Sequence, residues 1–141
     1  MNKIALLFVI LTLFQCKATQ NDVSTATLEN TYWKLSEMNG KPLVTPADAK
    51  EVHMILTSID NEKRVKGFAG CNNIGGNFAR EANKIHFTII STKMFCSDRM
   101  HVEDFFTKAL SKAETYIIKG EELSLYQGGT KLITFQSVYF K

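Results

Sequence analysis

Only one stretch of this chain spaces its apolar residues with the period of a helix. In "SDRMHVEDFFTKALSKAE" (97–114), Val102, Phe105, Phe106, Ala109, Leu110 and Ala113 fall at i, i+3, i+4, i+7, i+8 and i+11. Ser97 or Asp98 is expected to cap its start, early acids and late lysines suit the helix dipole, and the spacing predicts a helix over 98–113. Everything else from Thr31 onward is short and punctuated by turns. "TYWKLSEM" (31–38) ends at Asn39-Gly40, and "EVHMILTS" (51–58) turns through "DNEK" into "RVKGFAG" (64–70). "NFARE" (77–81) reads as a short strand at best, "KIHFTII" (84–90) alternates cleanly, and "TYIIK", "LSLYQ" and "KLITFQSVYF" close the chain. About eight antiparallel strands and one amphipathic helix predict an α+β fold. The expected form is a strongly curved antiparallel sheet, or partly open barrel, with the helix packed on it. At 141 residues the chain holds one such core and not two.

The N-terminus is of another kind. "MNKIALLFVILTLFQCKATQ" has Lys3 followed by an apolar run from Ile4 to Phe14. Eleven residues rise about 16 Å as a helix, roughly half a bilayer core, so the run suits a secretory signal better than a membrane span. Cys16 follows where a cleavage site is expected, which resembles a bacterial lipoprotein signal. Phe14 and Gln15 stand where that signal prefers small residues. The expected organisation is a lipoprotein-type signal peptide at 1–15, a flexible tether at 16–30 carrying the lipid on Cys16, and a domain at 31–141. An uncleaved anchor, or cleavage elsewhere with a free thiol, are the competing outcomes. Seventeen basic against fourteen acidic residues give +3, or +2 once Lys3 leaves with the signal. Charge this weak and dispersed argues against a nucleic-acid partner.

Two cysteines remain, Cys71 and Cys96, and an exported chain meets an oxidising compartment, so a disulfide between them is the expectation. Metal ligation competes with it, because His53, His86 and His101 are available, but no two ligands share a metal-site spacing. A catalytic cysteine would need a base such as His86 or His101 and an orienting group, with no signature to mark them. Ser91 and Lys93 lack the partners of a Ser–Lys site, and Glu103-Asp104 and Glu121-Glu122 read as solvated pairs. No catalytic residue, cofactor or metal ligand is therefore predicted. The glycines and asparagines of "GCNNIGGN" (70–77) read as a sharp turn between two strands, with anion binding by backbone amides a weaker second.

The order of these motifs is itself distinctive. "YWKLSEMNGKPL", then "GFAGCNNIGGNF", "IHFTIISTKMFC", "FFTKAL" and "YIIKGEELSLY" together resemble the META domain of HslJ-like heat-inducible lipoproteins. The resemblance spans about residues 31–136. It rests on Trp33-x-Leu35, Gly70-Cys71-Asn72, Thr92-x-Met94-x-Cys96 and Leu123-x-Leu125. It implies a compact α+β domain in an exported or lipid-anchored bacterial envelope protein associated with heat or envelope stress, and it supplies no activity.

The functional expectation is a monomeric, non-catalytic protein of the cell envelope, attached to a membrane through its lipid and facing the periplasm or cell surface. Its expected role is a stress-related binding or assembly accessory for an unidentified envelope protein or component. The alternative is a carrier of a small apolar ligand between sheet and helix. The phenylalanines, Trp33, Met94 and Met100 could line such a site, although residues of this kind are more often plain core.

Overall fold

A computed structural model describes residues 25–140. Its elements run β1 (Tyr32–Met38), β2 (Lys41–Pro42), β3 (His53–Ile59), β4 (Glu62–Phe68), β5 (Asn73–Glu81) and β6 (Lys84–Ser91). Then come α1 (Met100–Lys112), β7 (Thr115–Lys119), β8 (Glu122–Gln127) and β9 (Thr130–Val138). All nine strands form one antiparallel sheet in the order β2-β1-β3-β4-β5-β6-β7-β8-β9. A further β1–β9 pairing, Tyr32 opposite Val138 through Met38 opposite Ile133, bends the sheet into a ring. The ring is weakest between β6 and β7, which share a single register pair, Lys84 opposite Thr115. The helix packs against β6, β8 and β9 beside that seam. The curved sheet with one packed helix is thus the architecture the alternation predicted.

Because neighbouring strands alternate in direction, the ring has two ends. At one end lie residues 25–31 and the turns at 60–61, 82–83 and 120–121. At the other lie the short link 69–72 and the longer connections 43–52 and 92–99. Tight hairpins need positive φ, and Asp60 and Asn61, at 51° and 67°, supply it between β3 and β4.

The core fills the space between ring and helix. Trp33, Met54, Leu56, Phe106, Leu110, Leu123, Leu125 and Phe135 are all fully buried. Phe106 of α1 meets Phe135 of β9 edge to face, with ring centroids 6.0 Å apart.

Several local expectations change. Residues 25–30, read as the end of the tether, belong to the folded domain. Ala26 and Leu28 are buried, the Ala26 amide donates to Gly120 O at 2.9 Å, and Trp33 Nε1 donates to Leu28 O at 3.0 Å. Glu29 fastens the same segment to β4 and β5 by accepting from Lys63 Nζ and Arg80 Nε, each at 3.2 Å. Burial alone would raise the Glu29 carboxyl, yet the hydrogen bonds and charges of Lys63 and Arg80 outweigh it and hold the group below its ordinary range. Residues 1–24, which hold the expected signal peptide and Cys16, lie outside the described residues.

The run "NIGG" is strand and not turn. β5 starts at Asn73 and pairs on both sides, with Gly76 opposite Val65 and Ile89. A Cβ on Gly76 would stand 2.0 Å from Thr88 O, and one on Gly67 would stand 2.1 Å from His53 O. These two glycines therefore let adjacent backbones approach closely within the sheet. The helix starts at Met100, two residues later than expected. Arg99 occupies the N-cap without a side-chain capping bond, so neither Ser97 nor Asp98 serves there.

Candidate functional site

At the far end of the ring the 92–99 connection and α1 converge on Asn72. Cys71 and Asn72 occupy the short link between β4 and β5, and residues 92–99 join β6 to α1. The disulfide expected from the cysteine count is present: Cys71 and Cys96 are bonded, with Cα atoms 5.7 Å apart. It closes a loop of sequence separation 25, worth about 3 to 4 kcal/mol in the chain-entropy model.

Asn72, 1% exposed, does more than shape a turn. Its Oδ1 accepts from the Met94 amide at 2.7 Å and from Thr92 Oγ1 at 2.9 Å. Its Nδ2 donates to Met94 O and to Glu103 Oε1, both at 2.9 Å. The amide thus uses both its ends and ties three segments together: its own link, the 92–96 stretch and α1.

Glu103 is the residue the sequence concealed. Paired with Asp104 it reads as a solvated helix acid, yet it is 5% exposed and points inward. Its Oε2 accepts from the Asn72 amide at 2.6 Å and the Cys71 amide at 3.3 Å, while Oε1 takes Asn72 Nδ2. Among the described residues no Lys, Arg or His forms an ion pair with it. A buried carboxylate surrounded by N–H donors is satisfied without a counter-cation. The signal that could have exposed it is helical phase. Residues 102, 103, 106, 109 and 110 form the buried face, and 103 sits beside 106 and 110.

These clamps hold the 92–96 stretch by its backbone and push side chains outward. Met94 is 59% exposed and Phe95 83%, next to Ile90 at 72%. Met94 therefore does not line the space between sheet and helix, where the carrier alternative placed it. The centre of that space is filled by Trp33, Phe106, Leu110 and Phe135.

The other sequence candidates are dispersed. His53 on β3 stacks on Tyr32 with centroids 4.4 Å apart, and burial pushes its imidazole below the ordinary value. His86 lies on the exposed face of β6 and His101 on an exposed position of α1. Among the described residues no three His, Cys, Asp or Glu side chains gather as a metal cluster. Ser91 ends β6 and Lys93 follows in the loop, both exposed. Glu121 receives the Ser137 hydroxyl at the opposite end of the ring. Among the described residues no helix is long and apolar enough to cross a membrane.

A model of the META domain matches residues 26–139. No curated protein matches the chain. Two solved structures share the fold. One is a protein from Burkholderia xenovorans determined by NMR, with 22% identity, TM-score 0.65, and 80% of this chain and 85% of that chain covered. The other is also an NMR structure of a protein, with 15% identity, TM-score 0.61, and 79% and 94% coverage.

Proposed function

The chain belongs to the META-domain family, and on that premise we propose that it is an exported, lipid-anchored envelope protein. In this proposal it works without catalysis, as a stress-related binding or assembly accessory. The observation that carries the binding role is the clamped loop. Disulfide, Asn72 and Glu103 fix residues 92–96 so that Met94 and Phe95 face solvent. Rigid presentation of apolar side chains lowers the entropy lost on association.

Export is supported by the leader and by a disulfide that suits an oxidising compartment. The stress association rests on the resemblance to heat-inducible lipoproteins. The geometry suits a tethered protein. Residue 25 enters at the end of the ring with the 120–121 turn, the end opposite the 92–99 loop.

Intact mass of the protein extracted from membranes tests the anchoring directly. The expected species begins at Cys16, carries acyl chains and lacks two hydrogens for the Cys71–Cys96 bond. A soluble, unacylated chain would end the lipid-anchor proposal.

A further inference from the structure

Strand β6 leaves part of its outer edge unpaired, and the geometry points to that edge as a docking site for an acidic, extended segment of a partner protein. The inference deepens the binding role proposed above and rests on it. Register and hydrogen bonding fix which groups are free. The Thr92 amide turns toward β5 and donates to Asn73 O, whereas the Ile85 amide turns the other way and donates to Glu114 O. Alternation therefore directs Thr88 and Ile90 into the β5 ladder and Ile89 and Ser91 away from it.

Pairing with β7 stops at Lys84, and among the described residues no hydrogen bond reaches the outward N–H or C=O of Ile89 or Ser91. An open edge of this kind templates another strand. A cleft of about 350 Å³ separates Ile89 and Ser91 from Thr107, Lys108 and Ser111 of α1. Its one charged lining residue is Lys108, so an acidic side chain on the incoming strand is the complementary choice. A few residues past Ser91 in the chain, Met94 and Phe95 expose apolar side chains.

A displayed library of random octapeptides, panned against the mature full-length protein, tests this with hydrogen exchange as the structural readout. Enrichment of acidic sequences with alternating apolar residues is expected. A synthetic copy of the leading peptide should slow exchange at the Ile89 and Ser91 amides and leave Thr88 and Ile90, already paired, unchanged. Methylating alternate backbone nitrogens of that peptide should weaken binding about tenfold or more, because it deletes ladder hydrogen bonds without touching the protein. Ser91→Pro removes an outward N–H that β5 does not use and should do the same, and Lys108→Glu should weaken acidic peptides selectively.

Enrichment of basic or purely apolar sequences overturns the proposal. So does slow exchange at Ile89 and Ser91 in the free monomer, which would mean that the edge is already covered. Concentration-dependent protection with a sedimenting dimer would assign the edge to a second copy of the chain and overturn it equally. None of these outcomes bears on the mass of the anchored species, so failure here and failure of the lipid anchor are separable.

Discussion

Replacing Asn72 by alanine should cost about 3–4 kcal/mol, and the structure shows where that figure comes from. Four hydrogen bonds disappear, to Thr92 Oγ1, the Met94 amide, Met94 O and Glu103 Oε1. The first three partners lie on the half-open loop and can regain water, so each costs about 0.5 kcal/mol, at the low end for a hydrogen bond. The fourth is a bond to a buried carboxylate that water reaches poorly, worth about 2 kcal/mol. Urea denaturation with unchanged m-value is the assay, and the midpoint should fall accordingly.

Asn72→Asp sharpens the test. It keeps the shape but sets a second carboxylate against Glu103 in place of the Nδ2 donor, now 2.9 Å from Oε1. One of the two must then stay protonated in the folded state, with a folded pKa raised above its unfolded value. The variant should be destabilised at neutral pH and recover as pH falls toward the ordinary carboxylate range. A loss below about 1 kcal/mol for alanine, or an aspartate variant indifferent to pH, would refute the view that Asn72 is the keystone of the loop.

Cys71→Ser and Cys96→Ser should each lower stability by about 3 to 4 kcal/mol in denaturation experiments, as should reduction of the wild type. Combined with Asn72→Ala, the losses should fall short of additive, because both devices restrain the 92–96 stretch. Gly76→Ala, with its Cβ 2.0 Å from Thr88 O, should cost on the order of 3 kcal/mol or more and show as a collapsed thermal midpoint. Glu29→Gln should flatten the acid limb of the stability profile. The native carboxyl is held low, so its contribution is complete above the unfolded pKa and is lost as pH falls through the folded one. His53 acts in the same sense nearer neutrality, because burial depresses its folded value, and His53→Gln should remove that part of the slope.

Periodicity carried most of the fold. Alternation in "KIHFTII" and the i, i+3, i+4 pattern around Phe105 and Phe106 translate directly into β6 and α1. What periodicity missed depended on neighbours distant in sequence. Gly75 and Gly76 look like turn residues in one dimension, and only the backbone of β6 beside them explains Gly76 inside a strand. β2 has two residues and exists because the Asn39-Gly40 turn folds Lys41 and Pro42 back on β1. The segment 25–30 looks polar enough to be linker, while Ala26 and Leu28 alternate inward beneath partners nearly a hundred residues away. The disulfide followed from counting cysteines. Helical phase puts Glu103 on the buried face, but its donors come from the 71–72 link, distant in sequence.

The pairing of β1 with β9 has a consequence for synthesis. The first strand lies between β3 and β9, so one edge of it waits until residues 130–138 have been made. A nascent chain halted before Thr130 can assemble hairpins but cannot shut the ring, and Trp33 and Leu35 lack the wall that Phe135 completes. Closure of the ring therefore depends on β9. A ribosome-stalled or prematurely terminated product should be as visible to proteases as an unfolded chain.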